Sequence, residues 1–346
     1  MTIDRRELQK ENQKTSHGIF VSSEKEEDVN NCKPGKMSMT EVIASFVAMK
    51  RQEESYACFN YLTQSRSAPS FIQGGEATAI DADKISCSVD EGCRLKMCTW
   101  CYRVVDFYKL NRETVQLSMS HLDRFMCTPT GTPYLLDRVM FQLASVAALC
   151  LAIKVREGRE LPLSQLCYLS NGSFGVEQIY EMEMKLLRAL EWRVQPPTAT
   201  SFVQYLHALL PQELCPSIRK RIQDVARYEA ELSAFSSFFI EYRASTIALS
   251  SFLNAIEGCG ETCFPDQLSF LSSLEEKTGM TQFTDDVIKC GRKLCIDVAS
   301  SGMIQEIQMV GCLSRPQHPA RSTEKDSSPS STLVSAENSP AAVGEF

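Results

Sequence analysis

Cys98 and Cys101 stand three apart, the spacing of half a zinc site. No second half accompanies them. The four histidines lie at positions 17, 121, 207 and 318, none at a metal-binding spacing. The two cysteines also share the apolar stripe of a helical pattern, where a thiol acts as a small hydrophobic group. No metal is expected. Gly74-Gly75 is not followed by a lysine, so no phosphate-cradling loop is present. Neither a G-x-S-x-G elbow nor an H-E-x-x-H pair occurs. Fifteen cysteines and four histidines could meet as nucleophile and base, but no spacing favours it. The expectation is a protein that is not an enzyme and carries no cofactor.

Charged residues beside apolar stripes are more informative. The stretch LSMSHLDRFM, residues 117–126, places Asp123-Arg124 among Leu117, Leu122, Phe125 and Met126. A carboxylate at the edge of a core-facing stripe is costly without a partner. Arg94 stands six residues before Trp100 in RLKMCTW, on the preceding helical pattern. Two further charges fall at helix positions: Lys154 at the end of a run of small residues, with Glu157 three later, and Glu183 in YEMEMKLLRALEW.

Helices must position all of these. Residues 39–62, MTEVIASFVAMKRQEESYACFNYL, read as one amphipathic helix, with Thr40 as a candidate N-cap. A Ser/Gly/Ala-rich link follows at 63–90. Met97, Trp100, Cys101, Val104 and Tyr108 form one stripe; Val115, Met119, Leu122 and Met126 form the next. Pro129, Gly131 and Pro133 break the chain. Residues 135–155 then predict a helix apolar on nearly all sides, as a central helix should be. A short helix near 163–169 and a longer one at 176–192 make five. Beyond Pro196-Pro197 a second set is predicted at 198–209, 216–235, 241–256, 265–274 and 283–299. Ala144-Ser-Val-Ala-Ala-Leu149 and Ala244-Ser-Thr-Ile-Ala-Leu249 agree at four of six positions, which suggests an internal repeat. The expected fold class is all-α, with disordered tails at 1–38 and 311–346 and helical domains at 92–195 and 196–310, preceded by the helix and link of 39–91.

Composition narrows the function classes. A hydrophobic content of 43% with 23% charged residues is that of a globular chain. The net charge of −7 argues against gripping a phosphate backbone, so no direct nucleic-acid partner is expected. The longest apolar run, Val146–Ile153, has eight residues, short of a membrane span. MTIDRRELQKENQKT has no apolar core of a secretory signal. With fifteen cysteines, that points to reduced thiols in the nucleus or cytoplasm.

Taken together, Arg94 with Trp100, Asp123 in HLDRF, Lys154, Glu183 and the PPT at 196–198 resemble the cyclin box. The second helical set resembles the cyclin C-terminal box, and the resemblance runs over about residues 92–300. It implies tandem five-helix domains. It implies that Arg94 and Asp123 form a structural pair between the first two helices. It implies that Lys154 and Glu183 hydrogen-bond a cyclin-dependent kinase, with Val155, Leu187 and Trp192 as apolar contacts. Cys93, Met97, Trp100 and Gln142 match the family's substrate-docking patch. Lys96 replaces an apolar residue there, and Thr99 and Arg103 replace acids, so weakened docking of basic motifs is expected. No subfamily signature stands out.

The tails carry short signals. Lys10-Glu11-Asn12, with Arg5 and Leu8 before it, resembles a degron read by the anaphase-promoting complex or another ubiquitin ligase. Ser328-Pro329 and Ser339-Pro340 are proline-directed candidates for phosphorylation. Arg219-Lys220-Arg221 has the composition of a nuclear signal but falls in a predicted helix, where a solvated face is the simpler reading. The resulting expectation is a cell-cycle regulator that binds and activates a cyclin-dependent serine/threonine kinase. The alternative is a cyclin-fold transcription factor: a transcriptional kinase regulator, or a protein like basal factor B. The latter would want a basic core, whereas residues 92–313 hold 22 Lys/Arg and 24 Asp/Glu.

Overall fold

A computed structural model describes residues 37–64, 88–158, 161–162, 165, 170, 172–260 and 262–301. The degron residues, Ser328, Ser339, both tails, most of the 63–90 link and most of the short 163–169 helix lie outside them. Among the described residues the regular elements are helical.

The first helix, α1 (Met39–Glu53), begins at Ser38 rather than Thr40. The Ser38 hydroxyl accepts from the Glu41 amide while the Glu41 carboxylate accepts from the Ser38 amide, a reciprocal cap that Thr40 could not make. The helix also stops sooner than its pattern suggests. It tightens to a 3₁₀ turn at Glu54–Tyr56, opens at Ala57, and resumes for one turn at Tyr61–Gln64. At this end the buried Glu53 carboxylate accepts from the Ser245 amide and hydroxyl at the start of a distant helix.

The next helices are α2 (Glu91–Phe107), α3 (Glu113–Met126), α4 (Arg138–Glu157) and α5 (Val176–Ala189). Asp90 and Asp137 cap α2 and α4 by accepting backbone N–H groups. At the centre is α4, packed on α2, α3 and α5. Its buried Ala144, Ala147, Ala148 and Ala152 let those helices approach, and Phe141, Leu149 and Ile153 fill the space between. By length and composition α4 could cross a membrane, but its apolar surface is taken up by these neighbours. The individual apolar runs understated how apolar this helix is as a whole.

The second group is α6 (Ala199–Ala208), α7 (Pro216–Leu232), α8 (Ala244–Glu257), α9 (Gln267–Thr278) and α10 (Asp285–Ser300). Here α8 has the place α4 holds in the first group, packed against α6, α7 and α10 through Ile247, Ala248, Leu249, Phe252 and Ile256. Helix α1 leans on this group: Phe46 meets Phe202 edge to face at 5.3 Å, and Lys50 donates to the Gly279 carbonyl at 2.8 Å. In the basic tripeptide of α7, Arg219 donates to the Leu210 and Pro211 carbonyls and Arg221 to that of Gly258.

Candidate functional site

Arg94 and Asp123 meet in a forked pair that joins α2 to α3. Nε donates to Oδ1 at 2.9 Å and Nη2 to Oδ2 at 2.8 Å, both side chains buried. Each side chain makes one further bond. Arg94 Nη1 donates to the Ala234 carbonyl, and the Tyr61 hydroxyl donates to Asp123 Oδ1, each at 2.9 Å. Burial, then the Asp123 charge, pushes the Tyr61 phenol well above its ordinary pKa, so it stays a donor. One carboxylate therefore ties together α2, α3, the turn after α1 and the chain after α7. Tyr61 and Ala234 lie too far away in sequence for any spacing to reveal them.

Lys154 and Glu183 meet where α4 ends beside α5. The Lys154 ammonium lies 2.9 Å from both carboxylate oxygens, and the Cys150 thiol reaches Oε2 at 3.8 Å. Glu183 is 5% exposed and Lys154 is 29% exposed in their side chains, so Lys154 is the accessible half. Lys154 lies in the last turn of α4, where a cation suits the helix dipole. Gly158 closes that helix in the left-handed region, φ +61°, a conformation glycine takes without strain. Glu157 pins the same end to α3 by accepting from the Asn111 amide and the Thr114 hydroxyl.

Around the pair lies a partly apolar face. On α5, Val176, Tyr180, Glu183 and Leu187 recur at helical spacing along one side. Leu187 is buried and Val155 half-buried, but Val176 is exposed and Tyr180 is 55% exposed. Trp192 follows, 64% exposed. Glu191 and Trp192 both adopt left-handed backbone, φ 52° and 61°, which costs a non-glycine residue about 1 kcal/mol or more. The bonds that hold this turn include Trp192 N–H donating to the Leu187 carbonyl, His121 Nε2 at 2.8 Å from the Val194 carbonyl, and Arg124 donating to that of Arg193. Burial pushes the His121 pKa down to about 4, so the ring is neutral near pH 7 and its Nε2–H donates to Val194. The HLDRF stretch thus also fixes the turn that displays Trp192. Tyr180 and Val176 were missed in the sequence reading, although their three- and seven-residue spacing to Glu183 was legible.

The other anticipated residues are placed differently. Cys93, Met97, Trp100 and Gln142 are buried, three of them in the core around α4, and form no exposed patch. Among them Lys96 and Arg103 face solvent and Thr99 is half-buried. Cys98 and Cys101 are buried on α2, where burial drives both thiols up, that of Cys101 to about 12. Among the described residues no cluster of His, Cys, Asp and Glu could hold a metal ion.

One buried carboxylate had no sequence signal. Glu113, at the start of α3, pairs with Arg156 of α4 and accepts from the Thr198 and Ser201 hydroxyls at the start of α6. It bridges the end of α4, next to Lys154, to the second helical group.

Residues 71–195 match the family described as cyclin, N-terminal domain. The chain is 30% identical over 183 residues to cyclin-A1 of Homo sapiens, covering 52% of this chain and 37% of that protein. It is 28% identical over 170 residues to cyclin-A1-4 of Oryza sativa subsp. japonica, 49% and 46% of the two chains, and 31% over 110 residues to G1/S-specific cyclin-E1 of Rattus norvegicus, 32% and 26%. It therefore spans less than half the length of these relatives. A viral cyclin from herpesvirus saimiri overlays with a TM-score of 0.49 at 19% identity, covering 65% of this chain and 97% of that one. Lys154, Glu183, Arg94 and Asp123 all lie inside the matched segment, so residues 71–195 of this chain are a match to the cyclin N-terminal domain.

Proposed function

We propose that this protein is a non-catalytic activator of a cyclin-dependent serine/threonine kinase, acting in the cell cycle. The observation that carries the reading is the Lys154–Glu183 pair, set in an α4–α5 face with exposed Val176, Tyr180 and Trp192 beside it. Apolar anchors around a few fixed polar groups are what a specific interface requires. Glu183 holds the Lys154 ammonium at a defined place, so little ordering is left to be done on binding.

The mechanism is a shift of population in the partner. A kinase whose regulatory helix is badly placed leaves the Lys–Glu pair of its own active site unmade. A surface that binds only the inward position stabilises the active arrangement by its differential affinity. The two domains, 92–195 and 196–310, divide the labour, the first meeting the kinase. Lys96, Thr99 and Arg103, standing beside Cys93, Met97, Trp100 and Gln142, make docking of basic substrate motifs through that patch weak. A nuclear or cytoplasmic location, and removal through the N-terminal KEN tripeptide by a ubiquitin ligase, complete the reading. Affinity capture of the full chain from its own cells, with identification of co-purifying proteins, tests it. A cyclin-dependent kinase is the expected companion, and its absence would overturn the proposal.

A further inference from the structure

Of the cysteines among the described residues, Cys58 and Cys127 are the two whose sulfurs meet, 3.1 Å apart although 69 positions separate them. Both are half-buried, whereas Cys93, Cys98, Cys101, Cys150, Cys259 and Cys290 are buried. Cys58 lines an open cleft of about 220 Å³ together with Arg94, Asp123 and Arg124, which gives a small solute access to its sulfur, and Cys127 beside it keeps partial exposure of its own. The surroundings also orient the thiols: Cys127 reaches the Phe59 carbonyl at 3.3 Å and Cys58 the same carbonyl at 3.6 Å. A disulfide needs sulfurs about 2 Å apart, so closure asks for a displacement of about 1 Å at the junction of an open turn and a helix end.

We propose that Cys58 and Cys127 are a redox modification site, closing to a disulfide when the protein meets a hydroperoxide. The two thiols are unequal. The hydrogen bond from the Cys58 thiol holds the Cys127 thiol below its ordinary pKa, while that same contact and then burial push Cys58 up. Cys127 is therefore the first nucleophile. Its thiolate attacks one peroxide oxygen; an S–O bond forms, the O–O bond breaks, and hydroxide leaves to be protonated to water. Cys58 then attacks the Cys127 sulfenic sulfur; the S–S bond forms, the S–O bond breaks, and the hydroxyl leaves as a second water with the Cys58 proton. Two electrons pass from two thiols to one peroxide. The product staples the turn after α1 to the C-terminus of α3, alongside the Tyr61–Asp123–Arg94 cluster, and closes a ring of some 70 residues.

Peptide mapping of the full chain without reductant, after graded hydrogen peroxide, tests the site directly. The expected product is a cross-linked peptide joining Cys58 to Cys127, formed before the buried thiols react and reversed by dithiothreitol. Closing so long a loop raises the melting midpoint by roughly 5 °C over the reduced chain. Cys58→Ser should abolish cross-link and shift together and leave a Cys127 sulfenic acid that dimedone traps. Absence of the cross-link in the unmutated chain, a dominant pairing of either residue with another cysteine, or a shift that survives in Cys58→Ser would each overturn it.

Discussion

Asp123 accepts from Arg94 twice and from Tyr61 once, and that arrangement decides what its loss costs. Asp123→Ala leaves a buried guanidinium facing an empty space, a loss of about 3–5 kcal/mol. Calorimetry should then show a fall in melting midpoint of roughly 10 °C. Tyr61→Phe removes one hydrogen bond of three and should cost only about 1–2 kcal/mol. Two other buried groups give opposite pH dependences. Burial lowers the pKa of His121 from 6.5 to about 4, so the unfolded chain takes up that proton first as pH falls. Its stabilising contribution is full above pH 6.5 and is lost between there and about pH 4. Glu229 is raised from 4.5 to about 7, chiefly by burial, although Asn254 donates to it at 2.8 Å. Its contribution is full below pH 4.5 and is lost as pH rises to about 7. Denaturant melts should show Glu229→Gln more stable than the parent at pH 8, by on the order of 1–3 kcal/mol, and indistinguishable from it at pH 4.

Helix α5 has a face that packs against α4 and a flank that does not, and Tyr180 belongs to the flank. Tyr180→Ala should therefore leave the melting midpoint unchanged within about 1 °C, while weakening kinase affinity about tenfold, the usual cost of truncating an interface aromatic. Surface titration against the captured kinase measures the second quantity and calorimetry the first. What could be read at the level of helices was considerable: the periodic stretches gave every long helix and the central places of α4 and α8. The stripe around Asp123 showed only that its carboxylate needs a partner; Arg94 was named through the resemblance to the cyclin box. Glu53 and Glu113 were not, because their partners Ser245, Thr198, Ser201 and Arg156 lie on other helices, and a Ser or Thr near a helix start looks only like a cap. The same cause hid the end of α1. Its apolar pattern continues past Glu53 although the helix does not, and the Glu53–Ser245 contact made at that point has no local signal.

Across the whole molecule, buried carboxylates join successive helical groups: Glu53 ties α1 to α8, and Glu113 ties α3 and α4 to α6. Glu113→Ala should lower the melting midpoint by several degrees and blunt the unfolding transition, because Arg156 and two hydroxyls lose their shared acceptor. Such rigidity matters because a protein that works by biasing a partner must itself hold one shape. Under the proposed function, Lys154 and Glu183 are where that shape is converted into recognition. The decisive measurement is the affinity for, and activation of, the co-purified kinase by the parent chain and by Lys154→Ala/Glu183→Ala, with melting midpoints recorded in parallel. Removing both halves of the pair leaves no buried charge stranded, so the fold should persist within a few degrees. Affinity should fall at least tenfold, about 1.4 kcal/mol, with activation falling alongside it. Unchanged affinity and activation in a folded double variant would contradict the assignment of this pair as the kinase-binding element.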